Sequence, residues 1–146
     1  MSNRINEAEA AAFLRENDRF LIFTHNTPDA DTIGSACALV RALRRLGKQA
    51  DAFNRDGVPA RLAFLQPETL FLQELPSLEG RTLISVDVAS PRLLSEPEAS
   101  FTFALSLDHH EINTIRCESL CLRDDFPAAH LPRAARIGVL HYIEVC

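Results

Sequence analysis

His25, Asp29 and Asp31 fall within seven residues, in the run His25-Asn-Thr-Pro-Asp29-Ala-Asp31-Thr-Ile-Gly34-Ser35. One imidazole and two carboxylates so spaced are a donor set for hard or borderline divalent cations such as Mn²⁺ and Mg²⁺. Pro28 stiffens the segment, which lowers the entropy lost when such ligands are fixed. Asp29 or Asp31 could instead only cap a following helix, with His25 a solvated loop residue. Two more candidates lie downstream, Asp87 after Leu-Ile-Ser-Val and the triplet Asp108-His109-His110 after Phe-Ala-Leu-Ser-Leu. Asp87 alone could simply begin a turn. The triplet is harder to explain without a metal or a phosphate, and adjacent side chains of an extended segment do not usually bind one ion together. One histidine is therefore expected on metal and the other on substrate. Together, His25, Asp29, Asp31, Asp87 and His109 supply much of a two-metal centre with a bridging carboxylate, the arrangement that hydrolyses phosphoesters.

The elements that must position these groups can be read from the hydropathy pattern. Residues 6–16 read as an amphipathic helix, with Asn6 as its cap and Glu9 completing a capping box. Residues 20–24 are almost wholly apolar and rich in β-formers, as in a strand buried on both faces of a parallel sheet. Helical spacing runs from Thr32 to Leu46, where Gly47 stops it. Strands are expected at 49–53, 83–87 and 101–107, a short helix at 61–65, and a further strand around Cys117 and Cys121. Strands alternating with helices predict an α/β domain, a mainly parallel Rossmann-like sheet flanked by helices. Three of the strands run directly into His25, Asp87 and Asp108. In open parallel sheets ligands bind beyond the carboxyl ends of the strands, so these residues are expected to meet. The helix after His25 would aim its amino end at the same place and favour an anion, with Gly34 and Ser35 as the expected phosphate contacts.

Composition bounds the alternatives. The 146 residues suit one domain, and 47% hydrophobic with 24% charged residues is ordinary for a globular chain. No apolar run is long enough to span a bilayer, and Met1-Ser2-Asn3-Arg4 leads into an acidic helix rather than a secretory signal; no membrane association and a cytoplasmic location are the expectation. The net charge of −5 argues against charge-driven binding of long duplex nucleic acid, yet leaves room for a small phosphorylated ligand on bound cations. The four cysteines, Cys37, Cys117, Cys121 and Cys146, form no zinc-finger set and are expected as reduced, mostly buried thiols.

The three motifs together resemble the DHH phosphoesterase superfamily, over about residues 19–129. His25-x-x-Pro28-Asp29-x-Asp31-x-x-Gly34-Ser35 is similar to its first motif, Asp87 to its second, and Asp108-His109-His110 with Asn113 to its third. The helix at 35–46 and the stretch from Phe53 through Val58-Pro59 to Phe64-Leu65 resemble the branch of bacterial oligoribonucleases that also act as pAp phosphatases. The resemblance implies two Mn²⁺ ions (Mg²⁺ as the alternative), His25 and Asp29 on one, Asp31 and His109 on the other, with Asp87 between them. It implies that His110 contacts the scissile phosphate and that Asp108 orients the histidine pair. The implied partners are short oligoribonucleotides or nucleotide phosphates. Within the superfamily, a manganese pyrophosphatase, a cyclic-dinucleotide phosphodiesterase and a single-strand exonuclease are the alternatives. Outside enzymes, the alternative is a metal- or nucleotide-binding domain without turnover.

The sequence also departs from that pattern. The family's fourth motif, a metal-binding aspartate in a Thr-Asp-Thr-Gly-like context, has no counterpart, since Asp124 and Asp125 lie too near the triplet. The family's C-terminal substrate-binding domain is expected to be absent. The catalytic domain is expected over residues 1–129, with 130–146 an atypical, truncated or frame-shifted tail in which His130 and His141 are incidental and Pro132 sits badly in a helix. Weak or absent turnover is the corresponding expectation.

Overall fold

The computed structural model describes residues 2–65 and 70–122. Asp124, Asp125, His130, Pro132, His141, Cys146 and the expected tail at 130–146 lie outside the described residues.

Local chemistry sets the first elements. Helix α1 (Glu7–Glu16) follows β1 (Asn3–Arg4), and a reciprocal cap opens it. The Glu9 N–H donates to Asn6 Oδ1 at 2.9 Å and the Asn6 N–H to Glu9 Oε2 at 2.8 Å. Strand β2 (Phe20–Phe23) has all four residues buried. Its alternation sends Phe20 and Ile22 to one core and Leu21 and Phe23 to another. Helix α2 (Ala30–Arg45) starts two residues earlier than the periodicity suggests, because Asp29 caps it by accepting the N–H groups of Asp31 and Thr32, both at 3.0 Å. It ends where Gly47 adopts a φ of 77°, with Gly47 N–H bonded to the Arg44 carbonyl and Lys48 N–H to that of Leu43.

The remaining strands are β3 (Ala50–Phe53), β4 (Phe71–Leu72), β5 (Thr82–Val86), β6 (Phe103–Asp108) and β7 (Cys117–Leu122), with a 3₁₀ turn at Ala60–Leu65 where a short helix is expected. All seven strands form one parallel sheet in the order β1-β7-β6-β5-β2-β3-β4. The two-residue edge strands β1 and β4 are not expected from sequence, being too short to carry a periodic signal.

Helices α1 and α2 cover one face, where Leu14, Ile33, Val40 and Leu43 pack with Ile22, Ile84, Val86 and Leu105. Among the described residues the other face is covered by connections between strands, chiefly that between β5 and β6, and by no α-helix. There Phe23 stands against Phe53, Phe101 and Phe103, with ring centroids 5.3–5.9 Å away, beside Val88 and Leu94. Cys37, Cys117 and Cys121 are buried. Among the described residues no helix is long and apolar enough to cross a membrane.

From β2 the chain builds outward through β3 and β4 on one side. It then returns to place β5, β6 and β7 on the other. The reversal between β2 and β5 opens a crevice at their carboxyl ends, the usual ligand position of such sheets.

Candidate metal centre

Three neighbouring strands deliver their terminal residues to this crevice: His25 after β2, Asp87 after β5, and Asp108, His109 and His110 at the end of β6. His25, Asp29, Asp31, Asp87, His109 and His110, with Leu93, line one cavity of about 210 Å³. Two donor clusters meet in it. Donor atoms of His25, Asp29 and Asp87 lie within 4.8 Å of one another, and so do those of Asp87, Asp108, His109 and His110.

Asp87 belongs to both. One of its oxygens, Oδ1, is 3.0 Å from His109 Nε2; the other, Oδ2, is 3.9 Å from His25 Nε2. Asp87 is 3% exposed and sits at a φ of 60°. That left-handed region costs a non-glycine residue about 1 kcal/mol or more. Burial pushes its carboxyl up from 3.8 to about 6; His109 and His110 oppose the rise, and Asp108 and Asp29 add to it.

His25 and His110 are oriented through their Nδ1 atoms. His25 Nδ1 lies 2.7 Å from the Asn26 carbonyl oxygen. That oxygen can only accept, so Nδ1 carries the proton and Nε2 keeps its lone pair. The Nε2 atom is 3.7 Å from Asp29 Oδ1. The strand-end backbone is braced by Asn54, whose Nδ2 donates to the His25 carbonyl at 2.9 Å and to Thr24 Oγ1 at 2.7 Å. On the other side, the fully buried Asp108 carboxylate is committed to positioning. Its Oδ1 accepts the His109 N–H (2.7 Å), the His110 N–H (3.2 Å) and His110 Nδ1 (2.7 Å), and its Oδ2 accepts Asn113 Nδ2 (2.6 Å). The two rings stand 4.5 Å apart and tilted by 58°; His109 Nε2 is 3.0 Å from Asp87 Oδ1, and His110 Nδ1 is 3.6 Å from the same oxygen.

The donors fit a divalent cation. Two ligands each about 2.1 Å from an ion lie roughly 3.0–4.2 Å apart, depending on the angle between them. The His25–Asp29, His25–Asp87 and His109–Asp87 separations of 3.7, 3.9 and 3.0 Å fall inside that interval. Mixed imidazole and carboxylate donors suit Mn²⁺ and Mg²⁺ chemistry.

Not every expected residue reaches the site in the same way. Asp31 lines the cavity yet joins neither donor cluster. Gly34 and Ser35, expected as phosphate contacts, do not line it, and Ser35 is 2% exposed. The reason is the early start of α2, which carries positions 34 and 35 a full turn inside the helix and turns Ser35 toward the core. Two contributors escape the sequence reading. Asn54 follows β3 as His25 follows β2, so the strand-end rule applied to a fourth strand would have found it. Leu93 carries no signal; it reaches the wall because its carbonyl accepts the Asn26 N–H at 2.8 Å.

An open parallel α/β sheet with a histidine–carboxylate cluster at its switch point is a framework that could hold metal ions beside an anionic ligand. The chain belongs to the DHH family: the family's N-terminal domain matches residues 19–131. It is 38% identical over 94 residues to the bifunctional oligoribonuclease and PAP phosphatase NrnA of Thermus thermophilus, a match covering 63% of this chain and 28% of that protein. The chain thus spans under a third of the length of that curated relative. Among solved structures, an exopolyphosphatase-related protein from Bacteroides fragilis superposes with a TM-score of 0.67 at 16% identity, over 82% of this chain and 39% of that one. Exonuclease RecJ bound to manganese superposes with a TM-score of 0.52 at 21% identity, over 94% of this chain and 36% of that one. These two likenesses show the fold.

Proposed function

We propose that this chain is the catalytic domain of a metal-dependent phosphoesterase acting in the cytoplasm on short oligoribonucleotides and on pAp. The observation that carries the reading is Asp87, whose two oxygens are directed at histidines from two different strands, as a carboxylate shared by two ions requires. In this reading His25 and Asp29 would hold one Mn²⁺ and Asp31 and His109 the other, with Asp87 available to both. The ions, when bound, would lower the pKa of a water and offset charge on the phosphoryl oxygens.

The chain's own groups do the rest. His25 presents Nε2 because Asn26 holds the Nδ1 proton. Asp108 accepts the Nδ1 proton of His110 and keeps that ring at the cavity wall; Nε2 is then left as an acceptor in the neutral ring and would donate to a phosphoryl oxygen from the imidazolium form. Asp29 and Asp31 occupy the start of α2, where the helix dipole tempers the mutual repulsion of the carboxylates. The substrate choice rests on the resemblance to the Thermus relative, whose name gives both activities.

The test is metal binding by calorimetry, followed by hydrolysis assays on pAp, a dinucleotide and pyrophosphate. Two Mn²⁺ per chain, lost in Asp87→Ala, are expected, with at most slow phosphate release from pAp and none from pyrophosphate. Metal binding unchanged by Asp87→Ala would overturn the site assignment. Two bound ions with no turnover of any substrate would make the chain a binding domain.

A further inference from the structure

We propose that the 3₁₀ turn Pro91–Leu93 separates the metal cavity from a second anion site, formed by Arg92 and Arg116, that takes another phosphate of the same nucleotide. The inference rests on the phosphoesterase reading of the metal cavity and extends it to substrate choice. Leu93 lines the metal cavity, while its neighbours Pro91, Arg92 and Leu94 line a different cleft of about 360 Å³. Consecutive residues are only about 3.8 Å apart along the backbone, so the two sites share one wall.

Arg116, just before β7, and Glu96 also line the second cleft. Among the described residues neither the Arg92 nor the Arg116 guanidinium enters a hydrogen bond or an ion pair. Arg44, Arg55 and Arg81, by contrast, are each paired with a carboxylate. The acids nearby leave the cleft positive. Glu98 is 2% exposed and turned inward to Arg55, which removes its charge from the cleft. Glu96 is the cleft's one acid, and its Oε2 accepts the Ser100 hydroxyl at 2.9 Å. Two guanidiniums against one carboxylate make a surface for a phosphate, which a guanidinium binds through paired N–H donors.

The turn is held in place independently of any ligand. The Asn26 N–H binds the Leu93 carbonyl at 2.8 Å, Asn26 Nδ2 donates to Ser95 Oγ at 3.1 Å, and Arg55–Glu98 pins the following segment. The metal loop and the arginine cleft are thereby kept in fixed relation. The ligand class is a nucleotide with a phosphate beyond the scissile one, either a nucleoside 3′,5′-bisphosphate or a 5′-phosphorylated dinucleotide.

The experiment measures binding by the full chain, with Mn²⁺ present, of adenosine 3′,5′-bisphosphate against adenosine 3′-monophosphate, and of a dinucleotide with and without its 5′-phosphate. NMR of the arginine side chains is recorded in parallel, with and without Mn²⁺. About tenfold tighter binding of at least one doubly phosphorylated ligand is expected. Arg92→Gln and Arg116→Gln, both at exposed positions, should each cut that preference severalfold while leaving Mn²⁺ binding unchanged; which ligand pair responds identifies the source of the phosphate. Equal binding within both pairs, or a preference untouched by the double substitution, would overturn the proposal and leave the metal site standing. Arginine signals that shift with bisphosphate in a chain that binds no Mn²⁺ would uphold the anion site and sink the phosphoesterase reading. No arginine shift under either condition overturns the proposal.

Discussion

In metal-free protein, replacing the central carboxylate of the candidate site should stabilise the fold. Asp87 is 3% exposed, and its carboxyl is pushed from 3.8 to about 6 by burial. At about 1.36 kcal/mol per pH unit, holding it ionised in the folded apoprotein costs about 3 kcal/mol. Because the folded value lies above the unfolded one, the favourable contribution of the protonated form is complete below 3.8 and disappears as pH rises through about 6. Asp87→Asn removes the charge and keeps an acceptor for His109 Nε2. Asparagine also tolerates the left-handed backbone at this position as well as any non-glycine residue does. In EDTA at pH 8 the variant should be more stable than wild type by about 3 kcal/mol. With a urea m-value of about 1.5 kcal/mol/M, that is a midpoint shift of about 2 M. At pH 4, close to the unfolded value, most of the difference should disappear. Adding Mn²⁺ at about 100 times its dissociation constant should raise the wild type by about 2.7 kcal/mol and the variant not at all. A variant less stable than wild type at pH 8 without metal, or a gap that ignores pH, would refute the reasoning.

Ser85 and Ser106 are register partners on β5 and β6, fully buried, and neither hydroxyl has a hydrogen-bond partner among the described residues. Each change to alanine should therefore raise stability in urea unfolding by about 1 kcal/mol. Arg55→Ala would strand the buried Glu98 and should cost about 2 kcal/mol; adding Glu98→Gln should recover much of it in a double-mutant cycle. Asn6→Ala, which deletes the α1 capping box, should cost about 1 kcal/mol by thermal melting without altering metal affinity.

How much of this is legible in the sequence depends on the range of the determining interaction. β2 and the body of α2 follow from patterns within a few residues, and so does the convergence of His25, Asp87 and the Asp108 triplet at strand ends. The start of α2 does not, because Asp29 both caps the helix and stands 3.7 Å from His25; a pattern of apolar spacing sees neither role. That shift alone withdraws Gly34 and Ser35 from the cavity wall. The bond from Asn54 to the His25 carbonyl spans 29 residues and the Arg55–Glu98 pair spans 43, so no local rule announces them. Leu93 is on the wall through one backbone bond from Asn26, which any residue at 93 could have accepted.

The departures from regular structure are concentrated where the candidate ligands are. Of the three non-glycine residues with positive φ among the described residues, Asp87 is itself a donor and Thr27 lies in the loop between His25 and Asp29. For Thr27 the left-handed conformation is costly, since its branched side chain crowds the backbone. It is held there by Asp56, whose Oδ2 accepts its N–H at 2.6 Å, and by its own hydroxyl on the Asn26 carbonyl at 2.7 Å. That carbonyl is also the acceptor for His25 Nδ1. The strain at Thr27 and the tautomer of His25 are therefore two consequences of one carbonyl position. A loop that relaxed at 27 would lose its hold on the histidine. The same logic makes Asp108 a positioning residue rather than a metal ligand. With four N–H donors already on its oxygens, coordination would have to break the bonds that set His109 and His110 in place. A site read only as a list of metal-capable residues would count Asp108 with Asp87. Their hydrogen bonds separate them: Asp87 keeps oxygens directed at histidine nitrogens across the cavity, whereas Asp108 has given its own to the backbone, to the His110 ring and to Asn113.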